Sequence, residues 1–77
     1  MDIEYWMNKA REALSSLPEG KSFVIKDLVS SPEWSLCEQK DKMKFGRAFK
    51  NEVLDGRISG VIAVETPKGA LAKYKRI

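Results

Sequence analysis

Apolar residues recur at steps of three and four along the start of the chain. Ile3, Trp6, Met7, Ala10, Ala13, Leu14 and Leu17 fall on one side of a 3.6-residue period, which predicts an amphipathic helix over residues 2–17. Asp2 is placed to cap its start, and Pro18-Glu19-Gly20 ends it. The pattern then changes. Lys21-Ser-Phe-Val-Ile25 is short, with aromatic or β-branched residues at three successive positions, and reads as a brief strand. Asp27-Leu28-Val29-Ser30 predicts a short helix stopped by Ser31-Pro32, because the residue before proline is pushed out of the helical region. Residues 33–39 read either as a loop anchored by Trp34 or as the beginning of the next helix.

From Lys40 to Gly56 the chain reads KDKMKFGRAFKNEVLDG. At 100° per residue, Phe45, Gly46, Phe49 and Val53 gather within about a third of the circumference, a stripe that faces a core. Gly56 follows as a C-terminal cap in the left-handed conformation. Two β-prone runs, Ile58–Glu65 and Ala70–Ile77, are divided by Thr66-Pro67-Lys68-Gly69, a turn signal, and predict a hairpin. The order is therefore helix, strand, helix, helix, strand, strand over a single domain, residues 1–77. That is an α+β chain with the element order of a winged helix-turn-helix. In that arrangement the short strand gains partners by adding to the C-terminal hairpin, and the helix before the hairpin is the recognition helix.

Composition narrows the chemistry. A chain of 77 residues, 43% hydrophobic and 32% charged, folds around a modest core and leaves little room for a deep substrate cavity. One cysteine, Cys37, and no histidine exclude an internal disulfide and a Cys/His zinc site. Cys37 reads as a small packed residue rather than a reactive thiol. No acid pair at catalytic spacing, Gly-rich phosphate loop or carboxylate metal cluster is present, so neither an enzyme nor a cofactor is expected. No window approaches the roughly 20 apolar residues of a membrane span, and Met1 runs directly into Asp2 and Glu4; a cytoplasmic protein without membrane partners is expected.

Charge is where the sequence becomes specific. The net charge is +3, yet residues 1–39 carry four basic and seven acidic side chains, whereas residues 40–77 carry ten basic and four acidic ones. The second half thus stands at +6 against −3, which points one face at a polyanion. Lys40, Lys44, Arg47 and Asn51 are spaced four, three and four apart and cluster within about 60° on the side of the helix opposite Phe49. Lysine and arginine neutralise phosphate, arginine pairs with guanine, and asparagine pairs with adenine in the major groove. Lys50 flanks the row, and Lys42 falls on the core side with its stem laid along apolar surface. The hairpin contributes Lys68 at its tip and Lys73, Lys75 and Arg76 on the return strand. Tyr74, set among those cations, could stack on bases or pack across the sheet; Trp6 and Trp34 read as core or dimer contacts, and Tyr5 as their partly exposed neighbour.

The residues Leu17-Pro18-Glu19-Gly20, Phe23, Ile25-Lys26-Asp27-Leu28, Trp34, Phe45-Gly46-Arg47-Ala48-Phe49, Glu52-Val53 and Tyr74-Lys75-Arg76-Ile77 form an ordered set. Over residues 17–77 that set resembles a family of small phage- and mobile-element-associated proteins of Gram-positive bacteria. The family is catalogued as a domain of unknown function, and some members carry DNA-binding or single-stranded DNA-binding labels. The resemblance implies a winged-helix-like domain with a nucleic-acid role.

The expectation is a non-enzymatic DNA-binding protein, duplex favoured over single strand. Lys40, Lys44, Arg47 and Asn51 would face the major groove, with Lys50 on phosphate and Lys68 along the backbone or minor groove. A protein-interaction module directed at a host protein and a single-strand binder using Tyr74 are the alternatives. The first helix could supply a homodimer contact.

Overall fold

The computed structural model describes residues 1–67 and 72–77. Its elements are α1 (Ile3–Ser15), β1 (Ser22–Val24), α2 (Ile25–Val29), α3 (Pro32–Leu36), α4 (Gln39–Leu54), β2 (Val61–Val64) and β3 (Lys73–Arg76). Asp2 caps α1 as its spacing predicts, its Oδ1 accepting from the Tyr5 amide at 3.1 Å.

Three helices, not two, separate the first two strands, and both departures from the expected order have local causes. The Asp27 carboxylate accepts from the Val24 amide at 3.0 Å, so the chain turns into α2 already at Ile25, a residue whose β-branching favours a strand only where strand neighbours exist. The Ser31-Pro32 pair that ends α2 also starts α3. Ser31 Oγ accepts from the Trp34 amide at 3.2 Å, and Pro32 occupies the first turn, where a missing N–H costs nothing. The hairpin strands are shorter than the β-prone runs, and the expected turn at Lys68-Gly69 lies outside the described residues.

The sheet is antiparallel with order β1-β3-β2. Phe23 pairs with Tyr74, and Tyr74 with Ala63, so β3 is the central strand and the otherwise isolated β1 adds to the hairpin as its sequence position implies. The Arg76 amide donates to Lys21 O at 2.9 Å and the Gly20 amide to Arg76 O at 2.6 Å, carrying the ladder beyond β1. Gly60 (φ +76) enters β2 in the left-handed region, and its carbonyl accepts from both the Ile77 amide at 2.8 Å and Arg76 Nη1 at 3.3 Å.

All seven aromatic rings of the chain join in one series of contacts: Tyr5, Trp6, Trp34, Phe45, Phe49, Tyr74 and Phe23. It runs from α1 through α3 and α4 to the sheet, with centroid separations from 4.9 Å (Phe49 to Tyr74) to 6.2 Å (Phe45 to Phe49). Phe45 and Phe49 are fully enclosed, so truncating either to alanine would cost about 3–5 kcal/mol. Trp6, Met7, Ala10 and Leu14 of α1 belong to the same core. The apolar face that suited α1 for a dimer contact is therefore internal.

Candidate nucleic-acid interface

The surface in question is the outer side of α4, and its orientation follows from what the inner side buries. Phe45, Phe49 and Val53 are buried against the rest of the core. At the C-terminus Gly56 takes φ +76, the Gly56 amide donates to Val53 O at 3.2 Å and the Arg57 amide to Glu52 O at 3.0 Å. This pair of bonds stops the helix in the left-handed cap that the glycine forecast. With the helix held this way, Lys40, Lys44, Arg47, Lys50 and Asn51 are all exposed. Lys42 is half-buried, its Nζ 5.9 Å from the Trp34 ring centroid, the snorkelling arrangement expected of a core-side lysine.

Of the acids on and beside α4, Glu52 is held away from the row, and Asp41 and Asp55 make no ion pair among the described residues. Glu52 lies between Arg11 and Arg57, at 3.9 and 3.8 Å, on the flank turned to α1. Lys40 pairs with Glu38 at 3.4 Å in an exposed contact, a weak interaction that water and salt screen. Among the described residues no ion pair engages Lys44, Arg47, Lys50, Lys73 or Lys75. Lys44, Arg47 and Asn51 thus form an open row of two cations and an amide, with the partly neutralised Lys40 at its head.

The hairpin cations separate. Lys68 lies outside the described residues. Lys73 lines a cleft of about 390 Å³ together with Lys50 and Glu65, so β3 and α4 share that boundary. Lys75, opposite Ile62 and Ser22 in the register, and Lys73, two residues before it, alternate with Tyr74 and so project from the sheet face away from α4; neither joins the α4 row. Arg76 is structural, with Nη1 donating to the carbonyls of Gly60 and Ile77.

Tyr74, a stacking candidate by its cationic neighbours, is 1% exposed and packed on Phe49 and Phe23, so it cannot receive a base. Its hydroxyl is buried with no hydrogen-bond partner among the described residues, and burial pushes its pKa above the ordinary tyrosine range. Tyr5 keeps 42% exposure, with its hydroxyl donating to Glu33 Oε2 at 3.2 Å. Cys37 is half-buried against the core, its Sγ 3.4 Å from Glu33 O, consistent with a packing role.

Two features were not read from the sequence. Met43 and Leu54 are 52% and 64% exposed, and on the helical wheel they fall between Lys50 and Arg47, so the basic face carries apolar side chains as well. A groove of about 530 Å³ also opens beside the row, where α4 meets the junction of β1 and α2. Met43 and Gly46 contribute to its floor and Arg47 and Lys50 to its margin. The positions of Met43 and Leu54 on the wheel carried a signal for the first feature; the groove depends on where α2 begins.

Among the described residues no cluster of three or more His, Cys, Asp or Glu side chains is placed to hold a metal ion. No described helix is long and apolar enough to cross a membrane. The fold is α+β, with four helices and one three-stranded antiparallel sheet among the described residues. By sequence the chain belongs to the family described as Domain of unknown function (DUF1413), which matches residues 8–76 and so takes in most of α1 as well as the later segments. No curated protein and no solved structure matches it.

Proposed function

We propose that this protein is a non-enzymatic, winged-helix DNA-binding protein that lays α4 in the major groove of a duplex. The observation that carries the reading is the row Lys44, Arg47 and Asn51. It is exposed, free of ion pairs among the described residues, and held outward by the burial of Phe45, Phe49 and Val53. From Lys40 to Asn51 the row extends about 16 Å along a helix rising 1.5 Å per residue, which matches about five base pairs at 3.4 Å each. A major groove about 12 Å wide admits such a helix.

In this reading Arg47 and Asn51 face base edges, and Lys44, Lys40 and Lys50 contact phosphates. The strand order β1-β3-β2 with the hairpin directly after the basic helix supports the winged-helix assignment, with α3 as an additional short helix.

Duplex is favoured over single strand because stacking platforms need accessible aromatic faces. Six of the seven rings are buried here, and the seventh, on Tyr5, lies on α1. The test is competition between a labelled duplex and unlabelled duplex or oligo-dT at two salt concentrations. With the three phosphates met by Lys40, Lys44 and Lys50 neutralised, log K is expected to fall with log salt at a slope of about −3 for duplex. Absence of binding at low salt, or displacement by oligo-dT at lower concentration than by duplex, would overturn the reading.

A further inference from the structure

The groove beside the basic row has a composition that base-pair recognition does not call for. Its floor is formed by Val24, Ile25, Trp34 and Met43 around Gly46, whose missing side chain leaves the α4 backbone accessible; the nearest atom to a Cβ there would be Ile25 Cδ1, at 3.7 Å. Lys26, Lys42, Arg47 and Lys50 stand around it, and no carboxylate is among the described residues that line it. The volume, about 530 Å³, is that of a site enclosing several large side chains.

We propose that this groove docks an acidic amphipathic segment of a protein partner, with its apolar side chains on the floor and its carboxylates against the surrounding cations. Charge complementarity chooses the occupant. A neutral apolar segment would leave four cations partly desolvated without compensation, and a basic one would be repelled. Nucleic acid fits the groove less well, because the two rings that line it, Trp34 and Tyr74, are buried within the ring series and offer no free face to a base. An amphipathic helix laid in a groove through residues at i, i+3, i+4 and i+7 is a common use of such a shape.

Resting on the DNA-binding reading is a consequence. Arg47 and Lys50 serve both surfaces, so the acidic segment and the duplex exclude one another, and the partner acts as a release factor for DNA.

The test is a selection of random 12-residue peptides displayed against the immobilised full-length protein, followed by polarisation titrations of the most enriched peptide. Enriched sequences are expected to carry at least two acidic residues with large apolar residues at helical spacing. Affinity should drop at least tenfold in Gly46→Leu, which fills the floor, and in Met43→Glu, which changes an exposed position and leaves the core intact. Failure to enrich any peptide, enrichment without acidic bias, or binding unchanged by Met43→Glu in the folded variant would each overturn the groove proposal, whether or not DNA binds. Peptide binding that depends on the groove in a protein that does not bind duplex would uphold the groove and sink the DNA reading; duplex bound together with peptide would refute their mutual exclusion.

Discussion

Replacing Tyr74 by phenylalanine tests the packing beneath the candidate interface. The ring is 1% exposed, edge-on to Phe49 at 4.9 Å and stacked near Phe23 at 5.9 Å, contacts that phenylalanine retains. The hydroxyl makes no hydrogen bond among the described residues, and an unsatisfied buried hydroxyl costs about 1–3 kcal/mol. The substitution removes that cost and leaves only a small void. The net effect is a stabilisation of about 1 kcal/mol at neutral pH, or about 4–8 °C in Tm for a domain of this size.

The alkaline limb gives a second readout. Burial raises the Tyr74 pKa in the folded state above the unfolded value of about 10. Below pH 10 the phenol is neutral in both states and costs no stability through ionisation. Above it the unfolded chain ionises first, so stability falls as pH rises towards the folded pKa. Phenylalanine removes that contribution, and the advantage of Tyr74→Phe should widen between pH 9 and pH 11. Urea titrations followed by tryptophan emission at those pH values measure both effects. A loss of more than about 1 kcal/mol at pH 7 would show that the hydroxyl has a partner, and an advantage that does not widen above pH 10 would refute its burial.

Two other substitutions probe the supports of α4 and the sheet. Gly46→Ala places a methyl at ordinary contact distance from Ile25 and restores helix propensity, so it should raise the urea midpoint by the equivalent of about 0.5–1 kcal/mol; destabilisation would mean that another group occupies that space. Gly60→Ala meets both a positive φ and the Arg76 guanidinium, so it should lower Tm by several degrees, a loss of about 1–3 kcal/mol, and an unchanged Tm would refute the turn geometry.

What could be read from the chain was local. The periodicity of Trp6, Met7, Ala10 and Leu14, the Phe45, Phe49 and Val53 stripe, and the cap at Gly56 are each set by residues within a few positions, and the structure reproduces them. Ile25 misled because its β-branching is a preference that one carboxylate, Asp27, overrides. Ser31-Pro32 misled because proline ends one helix by pushing the residue before it out of the helical region and begins another by its own fixed φ. For the site, the outward row on α4 was legible because one helix carries all of it. Grouping Lys75 with that row required knowing the face of β3, which depends on its pairing with β1 and β2, and Tyr74 lost its stacking role to a core built from residues distant in sequence.

The central claim is that the open row on α4 meets the phosphates and base edges of a duplex. Its most direct measurement is the salt dependence of duplex affinity for the wild-type protein and for Lys44→Ala/Arg47→Ala, with circular dichroism confirming that both are folded. The account predicts weaker binding, with a slope shallower by about one unit from the phosphate contact of Lys44 and a loss of sequence preference from the base contact of Arg47. Identical affinity and slope in the two proteins would contradict it.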